Sequence, residues 1–264
     1  MDLQLTGKLA LVTGSTAGIG LAIASNLAAE GATVIVNGRT APRVEEAIAR
    51  IRETHRGAKL ESLAVDLSTA EGAAKAIKQF PDVAILVNNL GVYGPKAFEE
   101  ISDADWNAII ETNFLSGVRL SRHYLPRMKA ANWGRILFIS SESAVNIPTE
   151  MIHYGVTKTM QIALARGLAS TCAGTAVTVN SVLAGPTRSE GVETFVADMA
   201  KARNLTPEAV EKDFFQTVRP SSILKRFETP DEIATLTTFL ASPLASGTTG
   251  AALRVEGGVV QTIV

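Results

Sequence analysis

The chain has 264 residues, with 25 Lys plus Arg against 26 Asp plus Glu and a net charge of −1. That length fits one large α/β domain, and so balanced a charge supplies no long-range field for nucleic acid or anionic lipid, so neither is expected as a partner. The single cysteine, Cys172, excludes an intrachain disulfide and any multi-cysteine metal site, and His55, His123 and His153 are too scattered for metal-ligand spacing, so no metal is expected. The opening residues, Met1 to Lys8, lack a basic segment followed by an apolar one, and no apolar run approaches the roughly 18 residues that span a bilayer. A cytoplasmic protein away from membranes is the expectation.

Apolar runs rich in β-branched residues alternate with helical patterns, the signature of βαβ units and a parallel sheet buried on both faces. Strands are predicted near Leu9–Thr13, Thr33–Asn37, Leu60–Val65, Val83–Val87, Arg135–Ser140, Ala176–Val182 and Ala251–Val255. The fold class is therefore a Rossmann-type doubly wound parallel sheet of about seven strands with helices on both faces, in a single domain over residues 1–264. Ile19, Ile23 and Leu27 form one stripe of the first helix, which Gly31 ends. Near the C-terminus, Thr229-Pro230-Asp231-Glu232 combines an N-cap threonine, a first-position proline and a glutamate placed to close a capping box.

Residues 186–226 depart from the alternation. Val192, Phe195, Val196 and Met199 fall at helical spacing, and Thr206-Pro207 opens a second short helix carrying Val210 and Phe214. A long excursion from the C-terminal end of a sheet strand lies where open α/β sheets bind ligands, so a helical lid over a substrate is expected, with an extra packing layer or a subunit contact as the plain alternative.

Thr13-Gly14-Ser15-Thr16-Ala17-Gly18-Ile19-Gly20 falls where the first strand turns into a helix. Three glycines let backbone approach a pyrophosphate, and the helix N-terminus supplies unpaired N–H groups and a positive dipole end. Gly14, Ser15, Thr16, Gly18, Ile19 and Gly20 are therefore candidate dinucleotide contacts. At the end of the second strand an acidic residue would favour NAD by binding the ribose 2′-hydroxyl. This chain has Val36-Asn37-Gly38-Arg39 instead, and the Arg39 fork suits a 2′-phosphate, so NADP(H) is expected over NAD(H), which stays possible. Asp66-Leu67 ends the third strand at the same edge, where the Asp66 carboxylate either accepts from the adenine amino group or caps the next helix.

Tyr154 and Lys158 stand four residues apart, on one face of a helix. A free phenol has a pKa of about 10 and exchanges protons poorly near neutrality unless positive charge stabilises its phenolate, which Lys158 would supply. With the Thr13 to Gly20 motif, this pair makes the chain resemble the short-chain dehydrogenase/reductase family in its single-domain form, over nearly the whole length. Further motifs fit that resemblance. Asn88-Asn89-Leu90-Gly91 is similar to the family's Asn-Asn-Ala-Gly element, Asn113 matches its helical asparagine, and Ser141 lies 13 residues before Tyr154, the separation the family pattern expects. Asn180 to Thr187 resembles the segment that brackets the nicotinamide, and Thr248 to Gly258 the C-terminal strand and turn. Leu90 and Ala184 depart from the family's alanine and proline, with altered packing at Leu90 and a looser lid hinge at Ala184 as the expected costs.

The resemblance implies Asn113, Ser141, Tyr154 and Lys158 as catalytic residues, and adds Asn89, Gly91, Tyr154, Lys158, Gly185 and Thr187 to the cofactor contacts Arg39, Asp66, Leu67 and the glycine turn. It implies a ketone/secondary alcohol interconversion in which Tyr154 is the acid/base, Ser141 stabilises charge on the carbonyl oxygen, Lys158 holds the ribose and lowers the Tyr154 pKa, and Asn113 anchors a water that links Lys158 to solvent. A homotetramer is implied as well. Two other readings stay open: a non-catalytic dinucleotide-sensing protein, and a 3-oxoacyl-thioester (acyl-carrier-protein) reductase, for which Arg119, Arg122, Arg127 and Lys129 would dock an acidic carrier. Phe195, Met199, Phe214 and Phe215 in the lid are taken to favour a free, fairly apolar ketone. His153 is expected to pack or line the site, and Cys172 to pack.

Overall fold

A computed structural model describes residues 1–263. In chain order the elements are β1 (Leu9–Val12), α1 (Gly18–Ala29), β2 (Thr33–Gly38), α2 (Ala41–Thr54), β3 (Lys59–Ala64), α3 (Ala70–Gln79) and β4 (Ile85–Asn88). They continue with α4 (Asp103–Ile110), α5 (Ser116–Ala130), β5 (Gly134–Ser141), α6 (Ile152–Ser170), β6 (Val177–Ala184), α7 (Glu190–Arg203), α8 (Pro207–Thr217), α9 (Pro230–Ala241) and β7 (Ala252–Val255). Seven strands form one parallel sheet in the order β3-β2-β1-β4-β5-β6-β7. The order reverses between β1 and β4, and the crevice beyond their carboxyl ends is where such sheets hold ligands.

Burial on both faces explains the continuous apolar strands. Val12, Val34, Val36 and Val87 face α1, α2 and α9 in one core layer, while Leu11, Ile35, Leu86 and Phe138 pack with α3, α5 and α6 in the other. Helix α1 ends as expected, with Gly31 at φ +88°. The Thr229 hydroxyl accepts from Glu232 N while the Glu232 carboxylate accepts from Thr229 N, so the capping box at α9 is complete.

Residues 186–226 contain α7 and α8, which pack on each other through Val196, Ala200, Val210 and Phe215, joined by Phe227. Phe214, Phe215 and Phe227 form a ring cluster with centroids 5.0 to 5.2 Å apart, and Met199 leans on the same group. This corrects one expectation: Met199, Phe214 and Phe215 hold α7 and α8 together, so they are no argument for an apolar substrate. The Phe195 side chain lies outside the described residues.

Ala184 brings a second correction. It pairs with Ser141 of β5 and Val255 of β7, and Gly185 N donates to the Val255 carbonyl at 2.8 Å. Without a proline ring the strand keeps its ladder to the last residue, so the start of the 186–226 segment is held tightly rather than loosened.

Candidate active site

The glycine turn is built by packing as much as by flexibility. Gly14 and Gly18 take φ of +61° and +53°. A Cβ on Gly20 would fall 2.3 Å from the Gly14 carbonyl oxygen and 2.5 Å from Asn89 Nδ2, so only glycine lets α1 approach the turn. Asn89 Nδ2 donates to the carbonyls of Thr13 and Gly14 at 3.0 and 3.1 Å, and Asn89 N and Leu90 N donate to the Thr13 hydroxyl. The β1 and β4 ends are thereby tied together at the switch point. Ala17, the N-cap of α1, offers no side-chain acceptor, which leaves the first-turn N–H groups for an anion. This backbone cradle fits a dinucleotide pyrophosphate.

Ser15 is the exception among the predicted contacts. Its hydroxyl is fully buried, donating to the Val12 carbonyl and accepting from Asn37 N, both at 2.8 Å, and its own N donates to the Asn37 carbonyl. Ser15 braces the turn from within and presents nothing to a phosphate. Asn37 was read only as the absence of an acidic residue, yet its Oδ1 accepts from Gly14 N at 3.0 Å and its Nδ2 donates to the Leu63 and Val65 carbonyls. An amide at the buried end of an apolar strand was the available signal for this role.

Arg39 is exposed just past β2, and Thr16 reaches the same end, since a Cβ on Gly38 would lie 2.5 Å from Thr16 Cγ2. Asp66 accepts from the Ser68 N and hydroxyl at 3.0 and 2.7 Å, which shapes the turn before α3, whereas the helix cap is Thr69. The Leu67 side chain is in the core, so it presents no side-chain group to a cofactor. The Thr187 hydroxyl donates to the Gly185 carbonyl at 2.9 Å and folds that segment back on itself. The 186–226 segment starts over the cradle: a Cβ on Gly18 would be 3.5 Å from Ser189 Cβ, and Glu190 lies 3.6 Å from both Arg43 and Arg50 of α2.

The four predicted catalytic residues meet beyond the carboxyl ends of β4 and β5. Ser141 ends β5, its oxygen accepts from Ser143 N at 3.1 Å, and it lies near enough to the Tyr154 phenol to pull that group's pKa down. Tyr154 and Lys158 share a face of α6, with Lys158 Nζ 5.6 Å from the centre of the Tyr154 ring. Lys158 is buried, donates to the Ile139 carbonyl at 2.8 Å, and would lie 3.3 Å from a Cβ on Gly91. Any larger residue at Gly91 would crowd the ammonium.

Burial decides the protonation of both groups. The Tyr154 pKa is pushed up to about 12, chiefly by burial, with Glu142 and Tyr93 adding to the rise and Ser141 and Arg219 opposing it. The lysine is pushed down to about 8 by burial alone. The expected lowering by Lys158 is not among the effects on Tyr154 in the free protein, where Tyr154 is a neutral phenol at physiological pH and the groups opposing the rise are Ser141 and Arg219.

Asn113 lies in a π-helical turn, Glu111–Leu115, between α4 and α5. Its side chain accepts from Val92 N at 2.7 Å and donates to the Val92 carbonyl and the Thr157 hydroxyl. Its carbonyl accepts from Gln161 Nε2 at 2.6 Å. Through these contacts Asn113 fixes the loop that carries Gly91 and Tyr93 against α6. Gln161, one turn beyond Lys158, escaped sequence reasoning because a lone amide within a helix carries no signal of its own. Tyr93 also escaped it: its ring stands edge-on to Tyr154 at 5.9 Å, and its hydroxyl is 3.5 Å from where a Cβ of Gly191 in α7 would be. His153 packs edge-on to Trp106, and Cys172 is a buried free thiol in the core.

The family model described as short chain dehydrogenase matches residues 8–200. The chain is 48% identical to YvaG, an uncharacterised oxidoreductase of Bacillus subtilis, over the full length of both. It is 33% identical to a 3-oxoacyl-[acyl-carrier-protein] reductase of Aquifex aeolicus, covering 98% of this chain and 100% of the relative. Among solved structures, L-sorbose reductase of Gluconobacter frateurii, complexed with NADPH and L-sorbose, superposes with a TM-score of 0.92 at 30% identity over all of both chains.

Proposed function

From the premise that this chain belongs to the short-chain dehydrogenase/reductase family and is an NAD(P)-dependent oxidoreductase, we propose that it interconverts a free ketone and a secondary alcohol with NADP(H), using Tyr154 as the acid/base. The observation that carries this reading is the neutral, half-buried Tyr154 phenol, with Ser141 and Lys158 both beside it. The glycine turn and the α1 N-terminus would hold the pyrophosphate, Arg39 the 2′-phosphate, and Lys158 the nicotinamide-side ribose, with Gly185 and Thr187 flanking the ring. Bound NADPH supplies the hydride for the carbonyl carbon.

The chain's own groups do the rest. The Ser141 hydroxyl donates to the carbonyl oxygen, which draws the substrate to the phenol. Tyr154 donates its proton to the same oxygen as negative charge develops there, and the Lys158 ammonium favours the resulting phenolate. Because Tyr154 begins as a phenol at neutral pH, the site is set for carbonyl reduction under those conditions. In the opposite direction a phenolate is needed, so alcohol oxidation rises with pH.

A free ketone is favoured over a carrier-bound thioester by the fate of the basic helix. Arg119 is engaged by Glu111 and the Ser68 carbonyl, Arg127 by Asp82 at 3.1 Å, and Lys129 by the Thr171 carbonyl at 2.7 Å. Three of the four cations expected to dock an acidic carrier are thus occupied within the chain. Residues 186–226 are read as the substrate cover, since they start over the glycine turn and touch Tyr93. The test is NADPH oxidation by the purified protein against simple ketones, ketoses including L-sorbose, and a 3-oxoacyl thioester. Turnover of the free ketones or ketoses supports the proposal, turnover confined to the thioester replaces it, and no turnover alongside tight NADPH binding favours a sensing role.

A further inference from the structure

Glu142 directly follows Ser141 and is buried, an unusual place for a carboxylate. Its Oε1 accepts from Arg219 Nε at 2.9 Å, an ion pair with both side chains shielded from solvent. Arg219 belongs to the lid segment: it follows α8, and its N donates to the Phe214 carbonyl at 3.0 Å. Its Nη1 also reaches Glu150 at 3.4 Å, in the turn that leads into α6 four residues before Tyr154. One guanidinium therefore joins the lid, the end of the strand carrying Ser141 and the start of the helix carrying Tyr154. The turn after β5 that carries Glu142, Glu142–Ala144, is pressed onto α6, where a Cβ on Gly155 would lie 2.9 Å from the Ser143 carbonyl oxygen and the Thr159 hydroxyl donates to the Ala144 carbonyl at 2.7 Å.

We propose that the Glu142–Arg219 pair is a positioning element for catalysis, in which the lid brings a fixed cation to neutralise a buried carboxylate beside Tyr154 and so keeps the phenol able to ionise when its proton is needed. The alternative, a pair that serves only to hold the fold, would be costly to desolvate and replaceable by apolar groups. The placement argues otherwise, because the carboxylate adjoins one catalytic residue in sequence and acts on the other through space: Glu142 pushes the Tyr154 pKa up and Arg219 pulls it down. The other ionisable groups facing Tyr154 are Lys158 on its own helix and Tyr93 from the loop after β4, while Glu142 itself faces Arg219 and Glu256. Arg219 is the cation that the lid contributes to this group.

The inference rests on Tyr154 being the acid/base, and its test reads the phenol directly. Tyrosine ring-carbon NMR of the full-length protein, with and without NADP+, gives the Tyr154 titration, assigned by its loss in Tyr154→Phe among the three tyrosines. Glu142→Gln keeps the shape and removes only the charge, and its midpoint is expected about one pH unit lower than wild type. Arg219→Met is expected to move it upward, Arg219→Lys to stay near wild type, and the double variant Glu142→Gln/Arg219→Met to return toward it. Opposite shifts that cancel are beyond a merely structural role. A midpoint unmoved or raised in Glu142→Gln overturns the proposal, and that variant decides the matter alone if Arg219→Met does not fold. Full turnover in Tyr154→Phe would instead sink the acid/base reading and leave the titration result standing.

Discussion

Lys158 Nζ sits 5.6 Å from the centre of the Tyr154 ring while donating to the Ile139 carbonyl at 2.8 Å, so the ammonium is held under the phenol by the strand that ends in Ser141. Strand β5 thus places one catalytic candidate through sequence and a second through a backbone carbonyl. The helix spacing of Tyr154 and Lys158 sets their shared face, and the sheet sets their depth.

Such burial has a thermodynamic cost that can be measured. Lys158 falls from 10.5 to about 8 because burial disfavours its charged form. Between those values the unfolded chain binds more protons than the folded one, so this group makes stability rise with pH there and lowers it below pH 8. Lys158→Met, similar in volume and neutral, should therefore be more stable than wild type at pH 7, by roughly 1–3 kcal/mol. Thermal melts from pH 7 to 10 check this, and the two proteins should converge as pH rises. A less stable Lys158→Met at pH 7 would mean that the Ile139 bond outweighs desolvation.

Gly20→Ala should close the nucleotide cradle. The added methyl meets the Gly14 carbonyl and the Asn89 amide at 2.3 and 2.5 Å, and neither is a free side-chain end, since Asn89 Nδ2 is itself bonded to Thr13 and Gly14. A loss of about 1–3 kcal/mol in stability is expected from overpacking. NADPH affinity should fall at least about tenfold, because the turn must move off the pyrophosphate path. A cofactor fluorescence titration and a melt on the same sample separate the two effects.

Arg39→Asp should exchange cofactors. Arg39 stands exposed beyond β2, where its fork would meet a 2′-phosphate, and a carboxylate there would accept from a ribose hydroxyl and repel that phosphate. The ratio of NADPH to NADH affinities should drop by about 10- to 100-fold, the scale of one charge-assisted hydrogen bond. Binding titrations with both nucleotides measure it without any substrate, and an unchanged ratio would remove Arg39 from the 2′-phosphate site.

Much of this architecture was legible in the residues. The seven strands, the Gly31 helix end and the Thr229–Glu232 box follow from periodicity and local chemistry, which act over a few residues. The catalytic candidates were legible through the resemblance to the short-chain dehydrogenase/reductase family, to which Ser141, Tyr154, Lys158 and Asn113 were matched residue by residue. What stayed hidden depends on partners far apart in sequence. Ser15 looked like a phosphate ligand until its hydroxyl was found between Val12 and Asn37, and Met199, Phe214 and Phe215 looked like a substrate wall until they were found packed in the lid. The Arg219 contacts with Glu142 and Glu150 join positions 77 and 69 residues apart, a separation at which no pattern in the chain marks the pair. The desolvation of the Tyr154 phenol was hidden as well, and with it the rise in its pKa.

The most direct test of the central claim is steady-state NADPH oxidation by wild type and Tyr154→Phe on whichever ketone or ketose in the panel gives turnover, with NADPH binding measured on both. The account requires Tyr154→Phe to bind NADPH as wild type does while its turnover falls by about 100-fold or more, the scale of general acid catalysis. Turnover in Tyr154→Phe within a few-fold of wild type would contradict it, because the proton would then come from elsewhere.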